Sequence, residues 1–144
     1  MSACFAERSV VPKHLLIVED NPHDLELAQV ALELSDVRCE VSVARDGQEA
    51  LDVLRGSETL PDLVLLDLNM PRVSGHEVLV AVKSDPALRQ VPVVVFTTSD
   101  EPSDRQAARA AGADDYVLKP QHFEALIDTL GGLGRRWLTA PRCA

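Results

Sequence analysis

The sequence predicts an α/β domain with a parallel sheet. Short, continuous apolar runs suit strands buried on both faces, and they alternate with segments of helical apolar spacing. Several of those runs end in acids, hydroxyls or a lysine, where open α/β sheets build their sites.

The elements follow in order. Leu15-Leu16-Ile17-Val18 is a buried strand ending in Glu19-Asp20. Asn21 is placed to cap a helix with Pro22 at its first position, and Leu25, Ala28 and Leu32 repeat at helical spacing. Residues 38–44 alternate, with Cys39, Val41 and Val43 on one face, as at a sheet edge. Asp46-Gly47 reads as a turn. Ala50, Leu51, Val53 and Leu54 mark a helix that Gly56 is expected to stop. Residues 63–68 form the central strand, followed by a loop from Asn69 to Gly75. Val78, Leu79 and Val82 mark a third helix, ended by Asp85-Pro86. Residues 91–96 are a fourth strand running into Thr97-Thr98-Ser99. Asp100 is expected to cap a helix reaching Ala111, with Gly112 beyond its end. Tyr116-Val117-Leu118 is a fifth strand, ending in Lys119-Pro120. Phe123, Leu126, Ile127, Leu130, Leu133 and Trp137 give a last helix one apolar face. Gly131, Gly132 and Gly134 each weaken it by up to about 1 kcal/mol, which predicts a kink or break. Five strands alternating with five helices imply right-handed crossovers.

At 144 residues the sequence has the length of one ordinary domain. The net charge of -9 opposes a nucleic-acid-binding surface, which would be basic. Arg135-Arg136 reads as a solvated helix end. Cys4, Cys39 and Cys143 are widely spaced and form no metal motif, which favours a reduced, cytoplasmic setting. No apolar run approaches the ~20 residues of a membrane span. Residues 1–12 are expected to be a flexible lead-in without signal-peptide character, 13–138 the domain and 139–144 a tail.

Taken singly, Glu19-Asp20 is a helix-start charge, Asp67 a loop cap, Thr97 an end-of-strand hydroxyl and Lys119 a surface lysine. Their joint placement at strand ends is much harder to obtain by accident. Carboxylates packed ~4 Å apart repel by about 1 to 4 kcal/mol per pair and call for a cation or a proton. Oxygen-only ligands suit Mg²⁺, which commonly takes one or two carboxylates with phosphate and water. An aspartate beside such an ion can attack phosphorus and form an aspartyl-phosphate, with a lysine neutralising the transferring oxygens.

Residues 13 to about 130 resemble the receiver domain of two-component response regulators. The matching pieces are Val18-Glu19-Asp20-Asn21, Leu65-Leu66-Asp67-Leu68-Asn69-Met70-Pro71, Gly75, Thr97-Thr98-Ser99, Ala111-Gly112-Ala113-Asp114-Asp115-Tyr116 and Lys119-Pro120. The resemblance implies a flavodoxin-like (βα)5 doubly wound fold with strand order 2-1-3-4-5, an order the reference case of a chemotaxis receiver also has. It implies Asp67 as phospho-acceptor and Asp20 as a direct Mg²⁺ ligand beside it. Glu19 would act through water, and Asn69 would give the ion its backbone carbonyl. Lys119 would pair with a phosphoryl oxygen, and Pro120 would follow it in a cis peptide. Thr97 would be the switch hydroxyl and Tyr116 the aromatic that turns inward with it. The size of Thr98 bears on access to the site and so on phosphoryl lifetime.

A finer resemblance rests on Lys83-Ser84-Asp85-Pro86, on the run from Pro92 to Ser99 and on Trp137-Leu138. These look like stand-alone regulators paired with bacterial phytochrome histidine kinases, a group often dimeric through its last strand and helices. That resemblance implies a sensor kinase as partner and a homodimer through the apolar stripe from Phe123 to Trp137. Only about one helix follows Lys119, so no DNA-binding output domain is expected. No enzymatic activity is expected beyond chemistry on Asp67 itself.

Two other classes are weaker. A phosphatase of the haloacid dehalogenase type also uses Asp, Mg²⁺ and Lys, but wants a second Asp where Asn69 stands. A phosphorylation-independent pseudo-receiver usually lacks an active-site acid, and none is missing here. Neither a P-loop nor a G-x-G-x-x-G motif is present, which opposes nucleotide binding.

Overall fold

The computed structural model describes residues 13–70 and 73–138. The expected lead-in 1–12, the tail 139–144, Cys4, Cys143 and Pro71 lie outside the described residues. Five strands, β1 (Lys13–Val18), β2 (Cys39–Ala44), β3 (Leu63–Leu66), β4 (Val93–Thr97) and β5 (Asp115–Leu118), alternate with five helices. The helices are α1 (Pro22–Leu34), α2 (Gly47–Gly56), α3 (Gly75–Ser84), α4 (Pro102–Ala111) and α5 (Phe123–Trp137). All pairings are parallel and the order is β2-β1-β3-β4-β5. This is the doubly wound flavodoxin-like arrangement that the alternation and the resemblance imply.

Side-chain alternation along the strands divides the core in two. Leu16 and Val18 of β1 join a cluster with Leu51 and Leu54 of α2, Val78 and Leu79 of α3 and Ala108 of α4. Leu15 and Ile17 point the other way, into a cluster with Leu25 and Leu32 of α1 and Leu126 and Leu130 of α5. Each fully buried Leu, Ile or Val contributes about 1.5–3 kcal/mol relative to exposure. β3 is buried at every position, which explains why it reads as a continuous apolar run. β2 lies at the edge, and its Val41 remains exposed.

Asn21 caps α1 as expected, accepting from the backbone N–H groups of His23 and Asp24, with Pro22 at the first position. Asp46 is more than a turn residue: it caps α2 by accepting from the Glu49 N–H. Ser74 and Glu77 form a reciprocal capping box on α3.

Four local expectations are corrected. Asp100 does not cap α4; Glu101 holds that position without a side-chain bond, and the Asp100 carboxylate instead pairs with Arg105. α2 runs through Gly56 and is capped at Ser57, and a Cβ on Gly56 would meet no neighbour, so the glycine serves no close approach there. The peptide before Pro120 is trans; the two isomers of an X–Pro bond differ by only about 0.5–1 kcal/mol, so the residue type does not decide between them. α5 is unbroken across its glycines. A Cβ on Gly134 would fall 2.2 Å from Cγ2 of Val37, so this glycine lets α5 press onto the α1–β2 connection. Packing there outweighs the propensity loss. Gly131 meets the Ser35 and Arg135 side chains, whereas nothing in the structure explains Gly132.

The apolar stripe of α5 is largely consumed internally. Leu126, Leu130 and Leu133 are buried, Trp137 packs against the same cluster, and Phe123 stays exposed.

Candidate functional site

The backbone brings the strand ends together. Beyond the strands, the Asp67 N–H donates to the Val18 carbonyl at 3.1 Å and the Glu19 N–H to the Ala44 carbonyl at 3.0 Å. The Lys119 N–H donates to the Thr97 carbonyl at 2.7 Å. The sheet ladder therefore continues one step past β1, β3 and β5 and fixes the loops that carry the chemistry. Gly75 completes this support: a Cβ there would lie 2.1 Å from the Asp67 carbonyl oxygen. Only glycine lets the start of α3 approach the Asp67 backbone so closely.

Among the described residues, the buried polar or charged ones are Glu19, Asp67 and Thr97. Ionised side chains are almost never buried without a partner, and all three stand at C-terminal strand ends. One carboxylate oxygen from each of Glu19, Asp20 and Asp67 lies within 4.8 Å of the others. Asp20 is the most exposed of the three. The Lys119 ammonium donates to Glu19 in a short contact and lies 3.4 Å from Asp24 and 3.6 Å from Asp67.

The electrostatics express an excess of negative charge. Burial pushes the Glu19 carboxyl above its ordinary value; the Lys119 hydrogen bond opposes this, and Asp67 adds to it. Burial alone would lower Lys119, but Glu19, Asp67 and Asp24 together hold it above the ordinary lysine value. Lys119 binds its proton more tightly because carboxylates surround it, whereas Glu19 does so chiefly because it is buried, with Asp67 adding to the effect. An oxygen-only, net-negative donor set of this kind fits a hard divalent cation. Asn69, the other expected contributor, is exposed, and its N–H lies 3.4 Å from an Asp67 carboxylate oxygen.

Thr97 and Tyr116 are linked through one residue. The fully buried Thr97 accepts from the Ser99 N–H at 3.3 Å, and the Tyr116 hydroxyl donates to the Ser99 carbonyl at 2.9 Å. The Ser99 hydroxyl donates to Asp104, and the Arg105 guanidinium lies 4.7 Å over the Tyr116 ring. Thr98 is exposed beside the site.

The structure therefore brings Glu19, Asp20, Asp67 and Lys119 together, and sets Thr97 and Tyr116 around Ser99. Sequence reasoning missed Asp24 and Arg105, and it named Ser99 only as a strand-end hydroxyl with no role of its own. An acid in the first turn of a helix already has a reason in the helix dipole, so nothing in the sequence pointed Asp24 toward a lysine 95 residues away.

Residues 15–131 match the family described as the response regulator receiver domain. The chain is 40% identical over 131 residues to "Probable methanogenesis regulatory protein FilR2" of Methanothrix harundinacea, covering 88% of this chain and 84% of that protein. It is 35% identical over 138 residues to response regulator Rcp1 of Synechocystis, covering 92% and 94%. The crystal structure of Mn²⁺-bound Rcp1 superposes with a TM-score of 0.81, over 92% of this chain and all of that one. The phosphorylated cyanobacterial phytochrome response regulator RcpA superposes with a TM-score of 0.84 at 38% identity, over 93% of this chain and 100% of that one. Receiver domains of this kind are signalling proteins that work with sensor histidine kinases and bind Mg²⁺ or Mn²⁺ in an acidic pocket. Among the described residues no helix is long and apolar enough to cross a membrane. With its parallel 2-1-3-4-5 sheet and its acids gathered at the strand ends, the chain belongs to the response regulator receiver domain family of two-component signalling.

Proposed function

We propose that the protein is a stand-alone response regulator that accepts a phosphoryl group on Asp67 and relays that event through a protein-binding surface. The observation that carries this reading is the surroundings of Asp67: a buried carboxylate at the end of β3, beside two further acids and 3.6 Å from an ammonium. In the reaction, an Asp67 oxygen attacks the phosphorus of a phosphohistidine on a sensor kinase. The P–N bond breaks as the P–O bond forms, and the electron pair leaves with the imidazole.

Asp20 and Asp67, the Asn69 carbonyl and, through water, Glu19 are the residues that would hold Mg²⁺. When bound, the ion offsets charge on the phosphoryl oxygens. Lys119 supplies the remaining positive charge. Thr97 then moves its hydroxyl toward a phosphoryl oxygen. Ser99 carries that shift to Tyr116, since its N–H is bonded to Thr97 and its carbonyl to the Tyr116 hydroxyl. Phosphorylation thereby biases an equilibrium that already exists.

The likeness to RcpA, a phytochrome response regulator, supports a bacterial phytochrome as the kinase. The acidic charge favours protein over DNA as the output partner. The reading places the protein in the cytoplasm as a homodimer, for which exposed Phe123 is the contact left on α5. Light scattering that finds a monomer with and without phosphoryl donor removes the dimer.

The deciding experiment is intact mass after incubation with Mg²⁺ and acetyl phosphate. One Mg²⁺-dependent phosphoryl adduct on wild type and none on Asp67→Asn is the expected result. An adduct on both proteins, or none on wild type with either acetyl phosphate or a phosphorylated histidine kinase, overturns the reading.

A further inference from the structure

Lys119 is shared among three carboxylates rather than held by Asp67 alone. Its ammonium donates to Glu19 and lies nearer to Asp24, at 3.4 Å, than to Asp67, at 3.6 Å. Asp24 sits in the first turn of α1, and no role assigned above uses it. We propose that Asp24 is a positioning residue that draws the Lys119 ammonium away from Asp67 before phosphorylation, and so restrains how fast the phosphoryl group is taken up. This rests on the reading of Asp67 as phospho-acceptor.

An ammonium has three donors, and Lys119 has three acidic neighbours. A phosphoryl group on Asp67 adds acceptors with a charge near -1.5 to -2, so Lys119 has to give up a partner to serve it. Glu19 is the costly one to release, because its side chain is 6% exposed and would be left buried without its cation. Asp24 is 38% exposed, so water replaces the lysine there. Lys119 also borders a cavity of about 110 Å³ with Asp24 on its wall, which leaves room for the ammonium to shift. The helix dipole accounts for an acid in this turn. It does not account for the contact with Lys119.

The sequence has three lysines, Lys13, Lys83 and Lys119, so ¹⁵N-lysine labelling yields a simple ammonium spectrum, with Lys119 assigned by its absence in Lys119→Arg. In metal-free protein without donor, Asp24→Asn is expected to move the Lys119 resonance while those of Lys13 and Lys83 hold still. With Mg²⁺ and acetyl phosphate, the same variant is expected to take up the phosphoryl group about two- to fivefold faster, the range of a weak, partly exposed ion pair. Asp24→Glu should restore both readouts. Glu26→Gln, which removes an exposed charge from the same helix, should change neither. An unmoved Lys119 resonance in Asp24→Asn overturns the proposal, as does an unchanged or slower uptake. Wild type that takes up no phosphoryl group while the Lys119 resonance responds overturns the acceptor reading and leaves the Asp24 pairing standing.

Discussion

Two lysines stand at opposite ends of the sheet, each against carboxylates. At the N-terminal end, Lys83 donates to the carbonyls of Arg89 and Val91 at 3.1 and 2.8 Å and to Asp114 at 2.9 Å. The same Asp114 oxygen accepts from the Val93 N–H at 2.8 Å. One positive charge meets one negative charge, and each donor has an acceptor. At the C-terminal end, Lys119 is a single ammonium among Glu19, Asp20, Asp24 and Asp67. The residue types match; the charge balance does not. The first centre staples the entries of β4 and β5. The second is left with surplus negative charge for a cation and a reacting group to complete. A lysine–carboxylate pair alone does not mark a site; the imbalance around it does.

The comparison breaks most visibly by removing one acid from each end. Asp114→Ala should cost roughly 2–3 kcal/mol, because it strands a charged donor and the Val93 N–H. Urea unfolding reads that loss, and phosphoryl uptake should survive it. Asp67→Asn should act in the opposite sense, abolishing uptake yet raising metal-free stability by about 1 kcal/mol through relief of repulsion. A lower urea midpoint for Asp67→Asn in chelator counts against the charge-cluster argument.

The smallest effect concerns pH. Folding raises the Glu19 carboxyl above its ordinary value of 4.5, chiefly by burial. Between 4.5 and the raised value the folded chain binds more protons than the unfolded one, so its stability falls as pH rises through that window. Chelated protein should show this decline in urea midpoint, and Mg²⁺ should flatten it. An equal slope with and without Mg²⁺ separates Glu19 from the metal-binding group. Lys119 behaves differently: its raised value preserves its stabilising contribution at all pH below the ordinary lysine value of 10.5, and that contribution is lost only as pH climbs through the raised value.

The sheet was legible because β1, β3 and β4 are continuous apolar runs and burial on both faces demands that pattern. The acids were legible because each closes such a run. Contacts between distant segments were not. Asp24 has a sufficient local reason for its place, and Lys83, read only as part of a resemblance, gives no sign in the sequence of the Asp114 that the fold brings to it. The glycines of α5 misled for a related reason: local propensity counts their cost, whereas the reward at Gly134 is the approach of Val37, nearly a hundred residues upstream. Asp100 illustrates the limit at a helix start, where two adjacent acids compete for one capping position and a nearby arginine takes the first.

Trp137 is the chain's single tryptophan, and it closes α5 against the cluster that α5 shares with α1. Tyr116 packs against the cluster on the other face of the sheet. The protein therefore carries its own optical gauge, mounted across the sheet from the proposed switch. A change in indole emission on phosphorylation would register a signal that has crossed the sheet, and constant emission would confine the response to the face of α2, α3 and α4.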